Sequence, residues 1–109
     1  MPLNNAPFSG LSTTFQDVYT PPPSGVIVVS IFSIICCNRA LTATDLTLAL
    51  TNNSNTILSY ISFTIPIPVG ASLVPVPSPI IIKPGQKLRA LASATNVLDL
   101  LISCSEFIT

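Results

Sequence analysis

"VIVVSIFSIICC" at Val26–Cys37 is the stretch on which the fold turns. It is either part of a membrane helix or a buried strand. A helix that spans a bilayer needs about 20 consecutive apolar residues, and this run has twelve. Its Val and Ile residues are β-branched, which favours the pleated conformation over the helix. It lies too far into the chain, with no basic residue before it, to be a signal peptide. The run therefore reads as a buried strand, and no membrane association is expected.

Working outward, the neighbouring segments have strand periods. Asn38–Asp45 ("NRALTATD") reads as a turn, and its threonines argue against a helix there. In "LTLALTN" at Leu46–Asn52 strict alternation sends Leu46, Leu48 and Leu50 inward and Thr47, Ala49 and Thr51 outward. "NNSN" at Asn52–Asn55 has the chemistry of a hairpin loop. Ile57–Ile65 ("ILSYISFTI") is the return strand, with Ile57, Ser59, Ile61, Phe63 and Ile65 on the more apolar side. Five prolines between Pro66 and Pro79 exclude a helix or a central strand, leaving an extended edge in which Ser72–Val74 could pair briefly. Ile80–Ile82, a turn over Lys83–Gln86, and Leu88 with Ala90 beyond it read as strand, turn, strand. In the final strand, Val97–Phe107, the core parity is Leu98, Leu100, Ile102, Cys104 and Glu106. Together with the segment from Leu88 it reads as a hairpin-like pair.

On the N-terminal side, "TTFQDVYT" at Thr13–Thr20 alternates with Phe15, Asp17 and Tyr19 on one parity, and "PPPSG" closes it with a stiff turn. Residues Met1–Ser12 have no periodicity and read as an extended arm rather than an element. The arm carries Leu3, Phe8 and Leu11, apolar residues suited to an interface with a neighbouring subunit. The expected architecture is all-β, an antiparallel β-sandwich or jelly roll of seven or eight short strands. Residues 1–12 form the arm and 13–109 a single sandwich domain.

Composition limits what such a domain does. Of its 109 residues 49% are hydrophobic and 7% charged, against about 25% charged in an average soluble domain. A freely diffusing monomer usually needs a charge-rich surface, so other chains are expected to cover this one, and a homo-oligomer is expected. The positive charges are Arg39, Lys83, Lys87 and Arg89 alone. They form no basic stripe, so nucleic acid is not an expected partner. There is no histidine and no C-x-x-C spacing, so neither metal nor cofactor is expected. Cys36 and Cys37 are adjacent and on a strand face opposite ways; with Cys104 they read as reduced, packed thiols.

The candidate acids Asp17, Asp45, Asp99 and Glu106 lie far apart in the sequence, and no activated nucleophile motif is present. The chain is expected not to be an enzyme. A carbohydrate-binding sandwich would want aromatic platforms, but there is no Trp and there are only two Tyr.

One resemblance gives these features a setting. A D-x-Y-x-x-P opening (Asp17, Tyr19, Pro22), a hairpin pattern with Gly85, Leu88, Ala92 and Ser93, and a final strand with Asp99, Ser103 and Glu106 resemble small virion proteins of tailed bacteriophages. The likeness runs from Phe15 to Thr109. It implies a β-sandwich carried on the particle and located in the virion after synthesis in the host cytoplasm. The implied role is that of a capsid cement or decoration protein, with the major capsid protein or other virion proteins as partners. The alternative it leaves open is a tail, neck or fibre component that contacts the host surface.

Overall fold

The computed structural model describes residues 3–22, 25–70, 72–73 and 79–108, and the side-chain surroundings of all of these except 3–4, 26–27, 72–73 and 108. Nine strands lie within the described residues: β1 (Leu3–Phe8), β2 (Gln16–Tyr19), β3 (Val26–Asn38), β4 (Thr44–Asn52), β5 (Ile57–Ile67), β6 (Ser72–Leu73), β7 (Ile80–Ile82), β8 (Gln86–Ala92) and β9 (Leu98–Ile108). They form two antiparallel sheets. A five-stranded sheet has the order β1-β9-β3-β6, with β7 also on β3, and a four-stranded sheet has the order β2-β8-β4-β5. The expected all-β antiparallel sandwich is the fold. The strand beyond the expected seven or eight is β1; the two-residue β6 is the brief pairing expected from Ser72.

The core lies between the sheets and follows strand parity. Leu46 and Leu48 of β4 and Leu88, Ala90 and Ala92 of β8 are buried on one side. Facing them are Ile31, Ile34 and Cys36 of β3 and Leu98, Leu100, Ile102 and Cys104 of β9. The β4–β5 hairpin closes as its asparagines require. Asn52 Oδ1 accepts from the backbone N–H of Ser54 and Thr56, and Asn55 takes the left-handed conformation at φ 68° that Asn tolerates. Asn38 is wholly buried but satisfied, with Nδ2 donating to the carbonyls of Thr42 and Ile67 and Oδ1 accepting from Ala40 N–H.

Four expectations need correction. First, the described part of the expected arm is not without secondary structure: Leu3–Phe8 pairs antiparallel with β9, from Leu3↔Ser105 to Phe8↔Leu100. Behind it Leu11 is fully buried in the core. The backbone N–H groups of Gly10 and Leu11 donate to the Leu98 carbonyl, and Gly10 sits where a Cβ would collide with Asn96 Oδ1. These backbone bonds hold a segment that has no periodicity of its own.

Second, β8 and β9 are not a hairpin-like pair. They belong to different sheets, so the Ser93–Val97 link crosses the sandwich. The same is true of β7 and β8 across Lys83–Pro84–Gly85. Third, β2 does not keep one parity. A bulge between Asp17 and Tyr19 lets Val18 and Tyr19 both turn inward. Fourth, β5 carries bulges against β4, and Phe63 is exposed while Ile61 and Ile65 pack on the core. The brief pairing expected from Ser72 occurs as Ser72↔Cys37 and Leu73↔Cys36; Val74 lies outside the described residues.

Candidate interaction surface

Six of the eight charged side chains are engaged within the chain. On the outward side of the four-stranded sheet, Asp17 accepts from Lys87 Nζ at 3.1 Å and from Arg89 Nε at 2.7 Å. Arg89 also donates to the Phe15 carbonyl and lies 6.0 Å from the Phe15 ring centroid. At the end of the other sheet Asp99 accepts from Arg39 Nε at 2.9 Å, Gly10 N–H at 2.9 Å and Ser9 Oγ at 3.2 Å. Partial burial raises the pKa of both carboxyls. The hydrogen bonds and cations around them outweigh that effect and hold both below the ordinary value of 3.8. Tyr19 donates its hydroxyl to Glu106 at 3.0 Å, and burial pushes its own pKa upward.

Residues that carried the phage resemblance take part in these contacts: Tyr19 meets Glu106, Ser93 Oγ accepts from Asp45 N–H, and Asp99 holds Arg39 and Gly10. They act as pins of the scaffold. Three of the four acids are thus engaged at separate places, and no pair converges across a cleft. A cavity of about 330 Å³ at one end of the sandwich is lined by residues including Thr20, Pro21, Asn53, Pro84 and Gln86, with no titratable side chain. Among the described residues there is no cluster of potential metal ligands and no helix long and apolar enough to cross a membrane.

The three thiols are free. Cys36 and Cys104 are buried in the core, and Cys37 is half-exposed on the opposite side of β3. Burial, reinforced by neighbouring Cys37 and Asp99, pushes the Cys36 thiol up to about 12, so it stays protonated.

What remains for contact with other molecules is largely apolar: Ile57, Leu58, Tyr60 and Phe63 are exposed on β5 and Leu41 and Val69 beyond the strands, and a further set lies on the outer side of the five-stranded sheet. The outward residues of the five-stranded sheet include Phe32, Ile35, Ile81, Leu101 and Phe107, each between 36% and 54% exposed. A bulge between Ile31 and Ser33 makes this arrangement possible. It keeps Ile31 and Ile34 in the core while placing Phe32 and Ser33 together on the outside. Between the bulky side chains lie serines in register, Ser33↔Ser103 and Ser30↔Ser105, with Ile35↔Leu101 and Val28↔Phe107 on either side. Ser105 Oγ is buried with no hydrogen-bond partner. No charged residue occurs among the described side chains of these rows.

An antiparallel sheet with one wet face alternates apolar and polar residues, whereas a strand covered on both faces reads as a near-continuous apolar run. Val26–Cys37 is such a run.

Of the residues expected at an interface, Leu11 is in the chain's own core, Phe8 packs against that core, and the Leu3 side chain lies outside the described residues. Exposed apolar side chains lie on β3, β7 and β9, and also on β5.

Fold and surface together define a class, the two-sheet antiparallel β-sandwich with an apolar outer face. No family model matches the chain, and no curated protein matches it. Among solved structures it is similar to a Bacillus protein from endospore appendages, described as a novel family of disulfide-linked pili, at 12% identity and TM-score 0.57 over 99% of this chain and 88% of that one. It is also similar to the infectious bursal disease virus T13 viral particle, at 9% identity and TM-score 0.54 over 94% of this chain and 30% of that one. A third match, to the Gx strain of the same virus, has 13% identity and TM-score 0.50, covering 32% of that chain. The sandwich thus corresponds to about a third of the viral chains and to most of the pilus protein. At these identities the likeness is one of fold.

Proposed function

We propose that the chain is a non-enzymatic structural subunit of a phage virion, a cement or decoration protein that stabilises the shell by burying apolar surface between capsid subunits. The observation that carries this reading is the apolar outer face of the five-stranded sheet, whose central rows hold no charge. Burying apolar area is worth about 25 cal/mol per Å², so a face of this kind, repeated over a shell, adds to its resistance to internal pressure. The interleaved strand order supports the reading. Successive strands fill β1-β9-β3-β6/β7 on one side and β2-β8-β4-β5 on the other, a jelly-roll winding of the sort used in viral shells. The fold neighbours include a viral particle and a pilus, both repetitive assemblies.

Particles of the parent phage assembled without the chain provide the test. Wild-type protein and the Leu101→Lys variant are added at limiting concentration, bound copies are counted, and the particles are heated. Wild type should occupy the shell and raise its disruption temperature, with fewer copies of the variant retained. Equal occupancy by both would remove the outer face from the mechanism. Imaging the occupied particles separates shell from tail: density confined to the tail or neck would replace the cement role with the alternative.

A further inference from the structure

We infer that the outer face of the five-stranded sheet is a self-association surface. A second copy of this chain packs on it, sheet to sheet, about a two-fold axis running along the strands between β3 and β9. This rests on the reading that the protein works by burying that face, and it names the occupant. The relief of the face is self-complementary. Phe32 stands out on β3, while the adjacent stretch of β9 is the low floor of Ser103 and Ser105. The proposed axis sets β3 of one copy over β9 of the other. Phe32 then meets the serine floor, and Ile35 lies over Leu101 of the second copy.

Face-to-face sheets pack about 10 Å apart with strands within about 30° of each other, so a bulky residue over a small one fills the gap. The size is sufficient. β3 and β9 run together over eleven register pairs, flanked by β1 and β7. At about 3.3 Å per residue and about 4.8 Å per strand this is on the order of 500 Å² per copy, or roughly 1,000 Å² for two, where specific interfaces begin. The face also carries no charge in its central rows. It has no electrostatic means of selecting an unlike partner, whereas a second copy always presents the matching relief, the condition for an isologous interface.

Sedimentation velocity on the full chain, up to about 100 µM, gives the first measurement. Wild type should form a reversible dimer. Leu101→Lys, which brings two like charges close to the axis, should weaken it at least about tenfold while circular dichroism shows the sandwich intact. A second measurement needs no disruptive variant. In a Cys37→Ser background, Ser103→Cys close to the axis should be joined into a covalent dimer by a short bismaleimide. Asn5→Cys on the outer strand β1 should not. A monomer at every concentration, a dimer indifferent to Leu101→Lys, or cross-linking at residue 5 but not at 103 would overturn the inference. Protein that stays monomeric yet binds particles would leave the structural role standing and remove only self-association. A dimer that binds no particle would do the reverse.

Discussion

The outward sides of the two sheets are made by the same alternation and finished in opposite ways. On the four-stranded sheet the residues alternating with the core positions of β8 are Lys87, Arg89 and Leu91, and the two basic ones turn to Asp17 on the neighbouring strand. Arg89 stands opposite Ala49 and Lys87 opposite Thr51. Ala49 and Thr51 are buried although they alternate with the core leucines, because long basic side chains lay their aliphatic stems over small neighbours. Over β2, β8 and β4 that face is covered within one chain, while β5 at its edge keeps Leu58, Tyr60 and Phe63 exposed. On the five-stranded sheet the central alternating residues are serines and large apolar groups, and nothing among the described residues covers Phe32 or Ile81. With so few charges in the whole protein, spending three of them on one face leaves the other dependent on a neighbour.

The largest expected effect tests the completed face. Asp17→Ala removes the one carboxylate shared by Lys87 and Arg89, and the Lys87 side chain is only 11% exposed. Stability in urea should fall by about 1–3 kcal/mol. The half-exposed Asp17 keeps the loss below that of a fully buried pair. A loss under about 0.5 kcal/mol would make the cluster ornamental and weaken the contrast between faces.

Acid gives the second test. Asp17 and Asp99 are both held below 3.8. A carboxyl whose pKa is lower in the folded than in the unfolded chain contributes stability that is whole above the unfolded value and is lost as pH falls through the folded one. Thermal melts should therefore be flat near neutrality and drop only below about pH 4, with a smaller drop in Asp17→Ala. Self-association, whose central rows hold no titratable group, should not change between about pH 5 and 8.

The adjacent cysteines divide the two sides of β3 at a single step. Cys36→Ser buries a hydroxyl in the core and should cost about 1–2 kcal/mol. Cys37→Ser, on the outward side, should stay within about 0.5 kcal/mol by the same melts. Equal costs would mean that the two sides are not differently covered. The smallest effect is expected at Ser105→Ala. This removes a buried hydroxyl that lacks a partner and should leave stability unchanged or raise it by up to about 1 kcal/mol. A clear loss would show that the hydroxyl is used.

Particular residues show how far the sequence could be read. The parity of β4 and β9 was legible because each strand keeps its alternation over its length. Leu46 and Leu48, and Leu98, Leu100, Ile102 and Cys104, are all buried as their spacing requires. The parity of β2 and β5 was not, because bulges at Asp17/Tyr19 and along β4–β5 shift the side of every residue beyond them. A bulge is set by the partner strand's register, which no local window contains. The apolar face was only half legible. The run Val26–Cys37 announced a covered strand, but which of its residues the chain itself covers depends on β4 and β8 across the core.

The sequence by itself determined that this protein is all-β, how β4 and β9 alternate, where the β4–β5 hairpin turns, and that its surface holds too little charge for a solitary domain. Those are properties of short windows and of composition, where side-chain period and turn chemistry act locally. Only the tertiary structure decided that Leu3–Phe8 pairs with the last strand, that β8 and β9 part into different sheets, and that Asp17, Lys87 and Arg89 close one face while Phe32 and Leu101 leave the other open. Each of these joins residues from distant parts of the chain. Such pairings are chosen by competition among all strands for edges and cover, a comparison that no single segment can make.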